Sequence, residues 1–401
     1  MKLRKFIASL GRLLFVLLIL VGAFVFAMFQ GGLVSWTIFY AILPFTIYSI
    51  LLFLYPLSNF KVKRIVKVTH LQNGEKLRVK VFIKRKLPFP LLYTIIGDEW
   101  MDEGKKKTIG RVNKVLVFGW KQQLEWDYTI DKMPRGEHSA RHIQVEVTDF
   151  FGWIRKTVMI STKNTVLVYP RTMDVDYMPI ESQYDGGLVN SPFNIVKDTT
   201  MVTGVRDYQF GDRVSWVHWK SFARTQTLMT KEFDDRSSRD LSLILDNRAS
   251  STFEEQIEFA ASIMQGAIKE RSNIRLLPIG RDEPFSALHS EEQFRLALAY
   301  LAKIQPVNQD EFIPSTEFKK ELDNGGSIVI ITARPTWHFL EAILSNVTGT
   351  RTIICFVVMK NKDSFTGNLV EEIKYAESKG VTVHPLVRQQ FSKAFSEVAQ
   401  S

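Results

Sequence analysis

Between Arg12 and Lys61 every position is apolar or uncharged, with no Lys, Arg, Asp, Glu or His. A soluble domain does not bury a run of that length. About 20 apolar residues at a rise of about 1.5 Å each cross the hydrocarbon core of a bilayer. The run therefore predicts two membrane-spanning helices, 13–29 and 33–55, joined by a tight turn at Gln30-Gly31-Gly32. Pro44 falls inside the second span, where a membrane helix tolerates it. A signal peptide is the competing reading of the first run, because Lys2, Arg4, Lys5 and Arg12 precede it, but no small-x-small cleavage site comes before the second run.

Beyond residue 61 the pattern changes to short β-branched and aromatic runs divided by turn residues. Strands are expected over 77–84, 91–96, 112–117, 124–130, 143–147, 155–160 and 165–169, several alternating with period two. Regular short strands of this kind predict an immunoglobulin-like β-sandwich over 61–170. From residue 237 apolar strands (240–246, 274–279, 327–332, 352–359, 381–386) alternate with amphipathic helices (253–271, 291–304, 337–345, 369–378). That alternation predicts a Rossmann-like α/β domain with a parallel sheet over 237–401. Ligands of such sheets sit beyond the carboxyl ends of strands at a topological switch point, which directs attention to Asp246 and Thr332.

The segment 171–236 lies between them, and its stretch 204–224 is rich in Arg, Trp and Tyr. Asp212 is read as the cap of a short helix that sets Trp216, Trp219 and Ala223 on one side and Arg213, Lys220 and Arg224 elsewhere. Two readings compete: a brace that packs its tryptophans and pairs Arg206 or Arg224 with a carboxylate, or a cationic cluster for a phosphate or an acidic partner.

Charge sharpens the first division. The net charge is +10, yet residues 61–124 alone hold 16 Lys/Arg against 5 Asp/Glu, and residues beyond 124 are net acidic. A basic segment beside the apolar hairpin favours apposition to anionic lipid over nucleic-acid binding, for which no recognition motif is present; a plain solvated face is the third reading. The basic residues on both flanks of the hairpin place both termini in the cytoplasm of a two-span cell-membrane protein. The lone Cys355 excludes an intrachain disulfide and lies in an apolar run, read as a buried strand. His138 and His142 are four apart, but Gly136 and the alternation after them place the pair in a turn and a strand, not on a metal-binding helix.

The run Gly204-x-Arg206-x-Tyr208-x-x-Gly211-Asp212, followed by Trp219-Lys220-Ser221-x-Ala223-Arg224, resembles the signature of the domain-of-unknown-function 58 family. Pro134-Arg135-Gly136, Asp149-Phe150-Phe151-Gly152 and Val168-Tyr169-Pro170 extend the likeness over nearly the whole chain. The resemblance implies a bacterial membrane protein with a C-terminal domain similar to a von Willebrand factor A domain. It also implies association with a MoxR-type AAA+ ATPase and a transglutaminase-like membrane protein. The signature residues Arg206, Tyr208, Asp212, Trp219, Lys220 and Arg224 are the binding candidates.

A domains hold Mg²⁺ through an Asp-x-Ser-x-Ser loop and further oxygens. Here Asp246-Asn247-Arg248-Ala249-Ser250 places Arg248 at the first Ser, and Thr332-Ala333-Arg334 stands where Thr-Asp-Gly is expected. The degenerate positions Asp246, Arg248, Ser250 and Arg334 thus point to a domain without metal or other cofactor. In it Arg248 either pairs with Asp246 or joins Arg334 in a basic lip for an acidic partner. No nucleophile elbow, Walker loop, zinc motif or dinucleotide fingerprint occurs, so the expected function is a non-enzymatic membrane-anchored interaction protein. The alternative is an unrecognised enzyme or receptor that takes an anionic ligand through the signature arginines.

Overall fold

The structure is a computed structural model and describes residues 2–67, 70–178, 202–209, 214–233, 240–279, 285–288, 290–308, 312–323, 326–347, 351–361 and 367–400. The chain divides into two compact units, Met1–Tyr169 and Pro170–Ser401.

The first unit opens with α1 (Lys2–Gln30) and α2 (Leu33–Leu54). Gly31 and Gly32 turn the chain between them at positive φ, a conformation that glycine adopts without a Cβ penalty. Within these helices Leu10–Gln30 and Leu33–Leu54 are long and apolar enough to cross a membrane. α1 thus begins well before the expected span, because its basic first turns continue the helix.

Eight strands follow: β1 (Phe60–Val66), β2 (His70–Gln72), β3 (Leu77–Arg85), β4 (Tyr93–Asp102), β5 (Lys107–Leu116), β6 (Gln123–Ile130), β7 (Gly136–Thr148) and β8 (Arg155–Tyr169). They form a three-stranded sheet β1-β3-β6 and a five-stranded sheet β2-β8-β7-β4-β5. Val79, Val81, Ile83 and Trp126 of the first sheet share one core with Ile96, Trp100, Ile143 and Val145 of the second. The two strands expected over 155–160 and 165–169 are one, β8. It pairs with β7 along its length, and a register shift at Ala140/His142 absorbs the polar residues between the two apolar runs. His138 and His142 both lie on β7, so the turn expected for the pair gives way to a strand that starts at Gly136, and neither is on a helix.

Alternation also places two cations inward. Arg64 falls on the same face of β1 as buried Phe60, and Arg85 continues the buried series Leu77, Val79, Val81, Ile83 on β3. Arg64 grips Asp98 through two hydrogen bonds of 2.8 and 2.6 Å, and both side chains are wholly buried. Its remaining donors reach the carbonyls of Ala140 and Thr162. Tyr128 donates to Asp98 at 2.5 Å and accepts from the Trp100 indole at 2.9 Å. Arg85 donates to the carbonyls of Lys121, Phe89 and Gly119. Both arginines belong to the basic segment read as facing lipid; they are structural, and that reading is corrected for them.

The second unit begins with residues 171–178, whose Tyr177 is buried in one core with Phe259, Ile263 and Phe395, and continues with a hairpin of β9 (Val202–Asp207) and β10 (Met229–Phe233) that encloses α3 (Trp219–Thr225). β11 (Asp240–Leu245), α4 (Phe253–Lys269), β12 (Asn273–Pro278), β13 (Phe285–Leu288), α5 (Glu291–Lys303) and α6 (Thr316–Asp323) follow. β14 (Ser327–Thr332), α7 (Trp337–Leu344), β15 (Ile353–Met359), α8 (Gly367–Ser378), β16 (Val381–Val387) and α9 (Ala394–Gln400) complete the unit. The sheet order is β13-β12-β11-β14-β15-β16, all parallel except β13, which runs antiparallel to β12. β14 and β15 are buried at every position, as strands covered on both faces must be. Gly326, at φ 89°, leads into β14, where a Cβ would stand 2.3 Å from the Asp240 carbonyl oxygen.

Candidate functional site

Strand order reverses between β11 and β14, so their carboxyl ends flank the switch point of the sheet. Asp246 directly follows β11, held there by its N–H to the Ile331 carbonyl at 2.9 Å. The next residues wrap around its carboxylate. Arg248 donates to Asp246 Oδ1 from its backbone N–H (3.0 Å) and its Nε (2.9 Å), and its Nη2 reaches Oδ2 at 2.8 Å. Thr332, at the end of β14, donates its hydroxyl to the same Oδ2 at 2.6 Å. The guanidinium also donates to the Arg334 carbonyl (3.0 Å) and lies 4.6 Å from the ring centroid of Phe339. Asp246 and Arg248 side chains retain only 5% and 14% of their exposure.

This arrangement does not fit a divalent cation. The single carboxylate is covered on both oxygens by a fork of N–H donors, and a metal at that point would meet the positive charge of Arg248 at contact distance. Ser250, the other retained position of the metal loop, accepts instead from Gln256 Nε2 at 2.9 Å. Among the described residues no group of three or more His, Cys, Asp or Glu side chains is placed to hold a metal.

Two clefts open at this mouth. One, of about 170 Å³, is lined by Asp246, Arg248, Ser250, Asn308 and Arg334 among others. The other, of about 310 Å³, is bounded by Ser251, Thr252, Arg334, Lys360 and Glu372. Arg334 is exposed and belongs to both, so a solvent-facing cation stands beside the ion-paired Arg248. Burial pushes the Glu372 carboxyl above its ordinary range, while Arg248 and Arg334 pull it the other way. Cys355, on β15 in the sheet interior, has its thiol pushed up to about 12 by burial and, secondarily, by the nearby Asp246 charge, which makes it inert in the folded protein.

The signature residues do not join this site. Arg206 donates to the carbonyl of the adjacent Asp207 at 3.1 Å, and Tyr208 N–H to that of Leu228 at 3.0 Å. Asp212, with Gly211 and Arg213, lies outside the described residues. The helix begins later than expected, at Trp219, because Val217 is drawn into an extended bridge with Thr230 and His218 is the cap, its Nδ1 accepting from the Ser221 N–H at 3.2 Å. Trp219 is 59% exposed and meets Phe222 edge-on, and Trp216 belongs to a separate 3-10 turn (Val214–Trp216), so Trp216, Trp219 and Ala223 do not share one helix. Lys220 and Arg224 are exposed. Among the described residues, no signature residue lines either cleft.

Thr332, singled out by its place at a strand end, does meet Asp246. Sequence reasoning missed Phe339 beneath Arg248 and the cleft carboxyl Glu372, neither of which carried a signal along the chain.

A family model described as "Protein of unknown function DUF58" matches residues 204–397. The uncharacterized protein YeaD of Bacillus subtilis (strain 168) is 34% identical over 362 residues, which cover 88% of this chain and 89% of that protein. Among solved structures, the sporulation control protein Spo0M of Bacillus subtilis is 16% identical over 27% of this chain and 49% of its own, with a TM-score of 0.19. A β-glucosidase of Listeria innocua is 16% identical over 25% of this chain and 16% of its own, with a TM-score of 0.16. At such scores neither structural likeness bears on fold or function.

Proposed function

The chain belongs to the DUF58 family of proteins of unknown function, and from that membership we propose that it is a non-enzymatic, membrane-anchored interaction protein. In this reading the hairpin crosses the cell membrane twice with both termini in the cytoplasm, supported by the basic residues that flank it and the uncharged turn. The first unit is an immunoglobulin-like sandwich and the second a von Willebrand factor A-like domain. The latter rests on the strand order with its antiparallel edge strand β13.

The observation that carries the interaction reading is the state of Asp246. At the place where an α/β sheet presents its ligand-binding or catalytic group, the Asp246 carboxylate is spent on Arg248 and Thr332 and is not itself available as a base, nucleophile or metal ligand. What the mouth offers is the exposed cation Arg334, suited to an acidic group on a partner. A MoxR-type AAA+ ATPase is the partner expected from the family resemblance, with a transglutaminase-like membrane protein beside it, in assembly or maintenance of a membrane or envelope complex.

Affinity purification of the tagged full chain from detergent-solubilised native membranes tests this, with Arg334→Glu as the comparison. Retention of the ATPase by the wild type and its loss from R334E supports the proposal. Equal retention sinks the role of the cleft, and absence of any ATPase sinks the partnership. Loss caused instead by Arg206→Ala or Arg224→Ala moves the contact to the signature segment.

A further inference from the structure

The motif Asp149-Phe150-Phe151-Gly152 has no part in the switch-point site, yet its placement is specific. It forms the turn between β7 and β8. Asp149 donates its backbone N–H to the Ile154 carbonyl (3.1 Å) and its carboxylate Oδ1 accepts from the Ile154 N–H (3.1 Å), and Gly152 takes positive φ to close the turn. Asp149 itself is buried, where it accepts the hydroxyl proton of Ser49 on α2 at 2.6 Å. The two residues at the tip point the other way: Phe150 and Phe151 are 52% and 49% exposed. Both rings lie against Phe45 of α2, at centroid distances of 5.4 and 5.2 Å, and Phe150 also meets Tyr93.

Phe45 fixes the depth of this tip. It lies twelve residues after Leu33, about 18 Å along the helix axis. Trp36, one turn from Gly32, is the kind of residue that marks the far interface of the bilayer. A hydrocarbon core about 30 Å thick, measured from Leu33, therefore extends past Phe45. Below that level Lys156 donates its ammonium protons to the Phe53 and Tyr55 carbonyls, at 2.8 and 2.5 Å, and fixes the start of β8 to the end of α2.

Resting on the reading that the hairpin spans a membrane, we infer that the Phe150–Phe151 tip inserts into the lipid bilayer beside α2, so that the β unit is embedded at the lipid surface instead of hanging from it on a tether. The occupant of this apolar tip is lipid, because the tip is continuous with the lipid-facing surface of α2. Two aromatic rings held half-exposed at a tight turn have no such partner in water.

The test is spin-label accessibility on the full chain in phosphatidylcholine/phosphatidylglycerol vesicles. Single nitroxide labels are placed at F151C, at Y40C on the exposed side of α2 and at K163C on β8, with F150C as a second tip position should F151C fold poorly. Native Cys355 stays unlabelled because it is buried. The expected result is that oxygen relaxes the labels at F151C and Y40C more than an aqueous nickel chelate does, and to a similar extent, because a core about 30 Å thick measured from Leu33 sets Tyr40 and Phe45 on opposite sides of its midplane, each within about 5 Å of it. K163C should show the reverse preference. A tip label relaxed by the chelate like K163C, with Y40C in lipid, overturns the inference and leaves the anchor intact. Exclusion of both reagents at the tip also overturns it, because the occupant is then protein. Chelate access at Y40C overturns the anchor reading and the inference with it.

Discussion

Replacing Arg248 with Ala removes the counter-charge from a carboxylate that is 5% exposed and leaves it with the Thr332 hydroxyl and the residue 248 N–H. Breaking a buried pair by deleting one partner costs about 3–5 kcal/mol. The cleft of about 170 Å³ beside Asp246 admits water to the stranded carboxylate, which points to the lower end, about 3 kcal/mol. Cys355 reads this out within one unit: its thiol is fully buried and pushed up to about 12, so it reacts with a disulfide reagent only when the α/β sheet opens. In the regime where reclosing outpaces labelling, the rate follows the unfolding equilibrium, and about 3 kcal/mol becomes a rise on the order of a hundredfold. The double variant Asp246→Asn/Arg248→Ala removes both charges and should return most of that loss. Labelling of R248A within about threefold of wild type, less than 1 kcal/mol, refutes the reasoning. So does a double variant as labile as the single one.

Two further outcomes follow from the β unit. Tyr128→Phe strips a charge-assisted bond from Asp98 and orphans the Trp100 indole, and should destabilise the unit by about 2–3 kcal/mol in urea unfolding followed by tryptophan fluorescence; a change under about 0.5 kcal/mol contradicts it. His138 donates Nε2–H to the Pro134 carbonyl at 2.6 Å and has a buried Nδ1 without a partner. Burial holds its imidazole below the ordinary value of 6.5. The unfolded chain therefore takes up the proton first, so stability is full above pH 6.5 and declines as pH falls below it through the depressed value. An NMR titration of the His138 ring with a midpoint at or above 6.5 would show the reverse.

Much of the fold is legible along the chain because burial on both faces leaves a compositional trace. The charge-free run marked α1 and α2, and the parallel strands stood out as apolar stretches, uninterrupted in β15, bounded by Ser327 and Thr332 in β14 and broken by Ser242 in β11. β13 escaped notice because Phe285–Leu288 is a four-residue edge strand, and α6 because Thr316–Asp323 is mostly polar. Arg64 and Arg85 were misjudged for a different reason. Charge was counted along the segment while the period-two pattern of β1 and β3 was already assigning both to the core face. At the switch point, Asp246 and Arg248 could be read as a pair from the displaced loop serine. Their partners Thr332 and Phe339 come from elements far along the chain, and only the fold brings them together.

The central claim is that Arg248 replaces a metal at the mouth of the sheet, leaving a cationic docking face. Calorimetric titration of the full chain in detergent micelles with Mg²⁺ and Mn²⁺, wild type beside Asp246→Ala, tests it most directly. The account predicts no saturable heat that depends on Asp246. Saturable binding by the wild type that disappears in D246A would contradict it.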